Sequence, residues 1–166
     1  MKFRCLVLFA LAIAGAIFFI VQININRSAG SHILEIRDSI TGRTYGSWLL
    51  EEGEEFAMEF IHSVNQTPVR ETFTIQDGMI CLTALRFYSY GAGIPGDLEE
   101  GQIMTRDGDA FIITGFSTSF KELKLIIGTY SDHLLIIKNE IISLRDVTGL
   151  NSNTGGRNAN ITIQLR

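Results

Sequence analysis

The chain has 166 residues, room for one domain and a short leader. Charged residues are only 19% of it, below the roughly 25% usual in globular domains. Setting aside Lys2 and Arg4 leaves 12 basic residues against 18 acidic, a balance near −6, which argues against a nucleic-acid partner and leaves no polybasic patch for an anionic lipid surface.

The N-terminus comes first. Lys2 and Arg4 precede seventeen residues, Cys5 to Val21, without a charge or strongly polar side chain. A signal peptide has an apolar run of about 7–15 residues, and a membrane-spanning helix wants about 17–25. The run fits a signal-anchor helix, with a cleaved signal peptide as the alternative, Ser28-Ala29-Gly30 being a passable cleavage site. Either way the charge asymmetry keeps the N-terminus in the cytoplasm and sends the rest outside. The domains expected are therefore 1–30, the leader, and 31–166, an extracytoplasmic β domain. Cys5 stands at the start of the apolar run instead of ending it, so it is no lipoprotein cysteine. Cys5 cannot plausibly pair with Cys81, which reads as a small buried hydrophobe.

Beyond residue 30 the pattern has period two. Ile33, Glu35 and Arg37 alternate with Leu34 and Ile36, and Phe56, Met58 and Phe60 with Glu55, Ala57 and Glu59. Further strand-like runs are 69–76, 79–88, 102–105, 110–114, 123–129, 134–138, 140–144 and 159–165. Asp77-Gly78, Asp107-Gly108, Lys138-Asn139 and the Asn/Gly-rich stretch 151–158 separate them. Glu51, Glu52, Glu54 and Glu55 read as a solvated turn. The pattern predicts an all-β fold, a small antiparallel barrel or sandwich, preceded by an N-terminal hydrophobic helix.

Two hairpins can be put in register. A two-residue turn at Asp77-Gly78 sets Ile75 opposite Ile80, Phe73 opposite Leu82 and Glu71 opposite Ala84. A turn around Gln66-Thr67 sets Met58 opposite Ile75, Phe60 opposite Phe73 and His62 opposite Glu71. One face of this meander then carries His62, Glu71 and Arg86 at its end. A His, a carboxylate and a guanidinium on a core-facing side must satisfy one another or something that enters. The candidate ligand-binding residues are therefore His62, Glu71 and Arg86, with Gly91 and Gly93 of the following loop admitting a ligand close to backbone N–H groups. The ligand this suggests is a small anionic solute. A buried network that only fixes the sheet's register is the other reading.

Catalytic and metal readings find little support. His62 and Ser63 are adjacent on a strand and face opposite sides, so they make no base–nucleophile pair. His32, His62 and His133 have no metal-ligand spacing. No catalytic residue, metal or cofactor is expected. Asn65-Gln66-Thr67 and Asn160-Ile161-Thr162 match the glycosylation acceptor pattern.

The stretch Phe60-Ile61-His62-Ser63-Val64-Asn65-Gln66-Thr67-Pro68-Val69-Arg70-Glu71 and the stretch Arg86-Phe87-Tyr88-Ser89-Tyr90-Gly91-Ala92-Gly93-Ile94-Pro95 together resemble an uncharacterised family of small exported proteins. Its members are often encoded beside TRAP-type transporters of the TAXI class. Asp132-His133-Leu134 and Ile142-Ser143-Leu144 fit the same pattern more loosely. Where family members commonly carry an acidic and a basic residue after the His-Ser-Val, this chain has Asn65 and Gln66. The resemblance implies a membrane-tethered accessory or ligand-sensing module near TRAP transporter subunits. A structural protein–protein interaction domain and, further off, a hydrolase are the alternatives.

Overall fold

Alternating side chains bury one face of each strand, and two such faces close on each other in this chain. The structure is a computed structural model that describes residues 30–91, 93–128, 131–150 and 158–166. The apolar run 5–21 and most of the Asn/Gly-rich stretch lie outside the described residues. Among the described residues no helix is long and apolar enough to cross a membrane.

Among the described residues twelve strands occur in chain order: β1 (Ser31–Asp38), β2 (Thr44–Glu51), β3 (Glu55–Ile61), β4 (Pro68–Gln76), β5 (Met79–Phe87), β6 (Ile103–Asp107), β7 (Ala110–Thr114), β8 (Ser119–Phe120), β9 (Glu122–Ile127), β10 (His133–Ile137), β11 (Glu140–Ser143) and β12 (Ala159–Leu165). A short helix, α1 (Leu144–Thr148), follows β11. Strands make up 59% of the described residues, so the chain is all-β as predicted. They form two antiparallel sheets and not a closed barrel. The four-stranded sheet runs β2-β1-β12-β9. The eight-stranded sheet runs β11-β10-β3-β4-β5-β7-β6, with β8 paired to β5.

The main core lies where the sheets face each other. Leu34, Ile36, Ile161 and Ile163 come from the smaller sheet, and Phe56, Met58, Ile75, Ile80 and Leu135 from the larger. A second apolar cluster forms on the larger sheet alone, around Val69, Leu85, Phe87 and Ile113, with Ile94 and Phe116 packed on it.

The Asp77-Gly78 turn behaves as its sequence predicts. Both residues have positive φ, 52° and 68°, as a primed two-residue hairpin turn requires. Gln76 pairs with Met79, Ile75 with Ile80 and Phe73 with Leu82. Then the register shifts. Thr72 pairs with Ala84 and Glu71 with Leu85, leaving Thr83 as one extra residue in β5. This is a β-bulge, and it reverses the facing of every later side chain in the strand. Ile80 and Leu82 face inward before it, and Leu85 and Phe87 after it. The bulge therefore marks the passage from the main core to the second cluster.

The β3–β4 hairpin also differs from expectation. Its turn occupies residues 63–66 and is closed by the His62 N–H donating to the Thr67 carbonyl, 2.9 Å. Met58 thus pairs with Glu71, Phe60 with Val69 and Phe56 with Phe73. The pairing slides by four residues relative to the predicted one. Four is even, so the same side chains still face the interior.

Candidate functional site

At the junction between the two apolar clusters the inner face opens into a cavity of about 480 Å³. Leu82 and Leu85, on either side of the bulge, line it. Phe60, Val69, Ile94, Pro95 and Phe116 complete its apolar walls. Its polar groups are His62, Glu71, His133, Ser63 and Ser131.

Of the five residues singled out from sequence, His62, Glu71 and Gly93 line this cavity. Arg86 does not. The extra residue at Thr83 turns it to the outer face, opposite Arg70, where its Nη1 donates to Asp107 at 2.8 Å and its guanidinium lies over the Tyr88 ring. Gly91 stands behind the wall. A side chain there would collide with the Asn65 amide, whose Nδ2 donates to the Ser89 and Tyr90 carbonyls at 3.1 and 2.9 Å. Asn65 thereby clamps the loop that brings Gly93, Ile94 and Pro95 over the cavity.

His62 is largely buried, 8% exposed. Its Nδ1 accepts from the Val64 and Asn65 backbone N–H groups at 3.3 and 3.2 Å. The ring therefore shapes the hairpin loop as well as lining the cavity. Ser63 is exposed, and Ser89 and Tyr90 spend their hydroxyls on the Tyr90 carbonyl and on Met104 Sδ.

Glu71 is the distinctive group. It sits in mid-strand, and its carboxylate has no hydrogen-bond or ion-pair partner among the described residues. Burial pushes its pKa up, because a charge is poorly tolerated among Leu82, Leu85 and Phe60. His133 sits on β10 directly across from Phe60, and the two rings stack at 5.0 Å. Its Nδ1 is buried with no hydrogen-bond partner among the described residues. Burial pushes the imidazole pKa down, with Asp132 acting in the opposite direction. Both groups are thus driven toward their neutral, hydrogen-bonding forms. His133 is absent from the sequence-derived set, although alternation along β10 places it on the same face as the buried Leu135 and Ile137.

Cys81 is half-buried opposite Thr74 and Ser119, with its thiol pKa raised mainly by burial. Among the described residues no cluster of His, Cys, Asp or Glu could hold a metal ion.

A family model described as Domain of unknown function (DUF1850) matches residues 56–144, more than half of the chain and the whole stretch that supplies the cavity's lining. Comparison with curated proteins and with solved structures gives no match.

Proposed function

The chain belongs to the DUF1850 family, a domain of unknown function, and we propose that it is a ligand-sensing module. In this reading it is tethered by its N-terminal segment at the extracytoplasmic face of a membrane and is accessory to TRAP-type solute uptake. One observation carries the ligand site: a carboxyl group, Glu71, standing without a partner among the described residues in a mainly apolar cavity. A half-buried carboxyl that faces an open, mainly apolar cavity points to a ligand. The tether rests on Lys2, Arg4 and the uncharged run to Val21. The link to uptake rests on the resemblance of the two motifs.

The lining also bounds the ligand. Among the described residues it contains no Lys or Arg, so a small anion finds no cation among them. Glu71 and the His133 Nδ1 call instead for an apolar body carrying an N–H or O–H donor, an alkylamine or alcohol in the simplest form. An ammonium would meet the ionised Glu71, and a hydroxyl either form.

Titration of the full-length protein in detergent with hexylamine, followed by NMR, tests the site. Saturable shifts are expected at Ile94, Phe116 and His133, with affinity about tenfold weaker in Glu71→Leu, the loss of one charge-assisted hydrogen bond. Equal affinity in the variant, or shifts confined to other surfaces, refutes it. For the accessory role, cells carrying a TRAP-type transporter should take up less solute when the chain is deleted, and unchanged uptake counts against that part.

A further inference from the structure

A second cavity, of about 360 Å³, adjoins the first where β3 meets β10 and shares Phe60, Ile61 and Ser131 with it, its other lining coming from the outward-facing positions. Its placement follows from pairing. His133–Phe60 and Leu134–Glu59 are successive pairs between β10 and β3, and successive pairs project to opposite faces. Glu59, Ile61, Leu134, Asp132 and Arg145 line this groove.

The charges in it are unequally committed. Glu59 is held by Arg70 Nε at 2.8 Å. Asp132 accepts from Ser143 Oγ at 2.6 Å through one oxygen and from the Arg145 backbone N–H at 3.1 Å through the other. The Arg145 side chain has no such engagement. Its Nε is buried and lacks any hydrogen-bond partner among the described residues. Every other described arginine is occupied. Arg70, Arg86 and Arg166 pair with carboxylates, Arg37 donates to the Gly42 carbonyl, and Arg43 and Arg106 lie over aromatic rings.

A buried guanidinium N–H with no acceptor is costly. The group that fits Nε and one Nη together is a carboxylate, taken by two parallel hydrogen bonds. Ile61 and Leu134 offer an aliphatic body its packing surface. Glu59 and Asp132, already satisfied, still repel a second negative charge nearby. We propose that this groove binds a small aliphatic monocarboxylate through the Arg145 guanidinium. The groove borders the Glu71 cavity, but Arg145 lines only the groove and Glu71 only the cavity, and the two groups call for ligands of different charge.

Hexanoate is the probe, titrated into the full-length protein and followed through the arginine Nε–H resonances and by calorimetry. The Arg145 Nε–H signal is expected to shift and saturate. Arg145→Met should weaken hexanoate binding at least about tenfold, the value of a charge-assisted bidentate pair, and adipate should bind more weakly than hexanoate. Glu71→Leu should leave hexanoate affinity unchanged, which separates this site from the cavity. Should Arg145→Met fail to fold, Arg145→Lys keeps the charge without the fork and should bind hexanoate distinctly more weakly than wild type. Full hexanoate affinity in a folded Arg145 variant overturns the proposal, as does a wild-type protein that shows no saturable binding or binds hexanoate only in the Glu71 cavity.

Discussion

Deleting Thr83 should cost the domain far more than any substitution of that residue. Removing one residue from β5 abolishes the bulge and turns Ala84 to Phe87 over. Leu85 and Phe87, 6% and 0% exposed, would move to the solvent side, and Arg86 would leave Asp107 for an apolar interior. Returning the two apolar side chains to water forfeits about 1.5–3 kcal/mol each, so about 3–6 kcal/mol together. That is a large share of a stability of about 5–15 kcal/mol, before the cost of burying Arg86 is added. Thr83→Ala keeps the residue count and loses only the hydroxyl's hydrogen bond to the Thr72 carbonyl, 3.1 Å, which is worth about 1 kcal/mol. Equilibrium urea unfolding of the full-length protein, followed by the fluorescence of Trp48, its one tryptophan, compares the two. A deletion variant within about 1 kcal/mol of Thr83→Ala would show that the inner face after the bulge does not depend on the count of residues.

Two further outcomes can be checked on stability alone. Burial raises the Glu71 pKa above its ordinary value of 4.5. Its carboxyl therefore favours the folded state most below that value and loses the contribution as pH rises through the folded one. Glu71→Gln never ionises, so it should melt higher than wild type near neutral pH, and the advantage should vanish below about pH 4.5. A gain that persists in acid would point to some other cause. Asn65→Ala removes two hydrogen bonds to the loop carbonyls. It should cost about 1–2 kcal/mol and speed amide exchange at Ile94, whose N–H is bonded to the Gly91 carbonyl, with exchange at Ile113 less affected.

Strand positions were legible where alternation was clean. The runs 110–114 and 159–165 coincide with β7 and β12, and the Asp-Gly turn sets its hairpin's register as far as Phe73–Leu82. The second strand was not legible. Trp48-Leu49-Leu50 breaks the period, and Gly46 stands in it only because the Trp48 ring covers that position. Placing the β3–β4 turn too late cost nothing in facing, since an even slip preserves it. Placing Arg86 failed because Thr83 reads as an ordinary member of an alternating run, and nothing local distinguishes a bulged residue from a paired one. Glu52 was read with a solvated turn. Its carboxylate instead accepts from the Asp77 and Gly78 N–H groups at 3.0 and 2.9 Å and meets His32 at 2.9 Å. Such a contact, like the isolation of Arg145, arises from elements far apart in sequence and has no local signature.

The pairing of β1 with both β2 and β12 places the beginning and the end of the domain side by side at the centre of one sheet, with Ile33 and Arg166 exchanging backbone hydrogen bonds at 3.0 and 2.9 Å. The edges of β1 and β9 that receive β12 can be filled only after β12 itself arrives. A chain that emerges N-terminus first must therefore hold β9 apart from the β1–β2 pair until the seven residues of β12 join them. Loss of β12 would leave the edges of β1 and β9 as an open template for pairing with another chain.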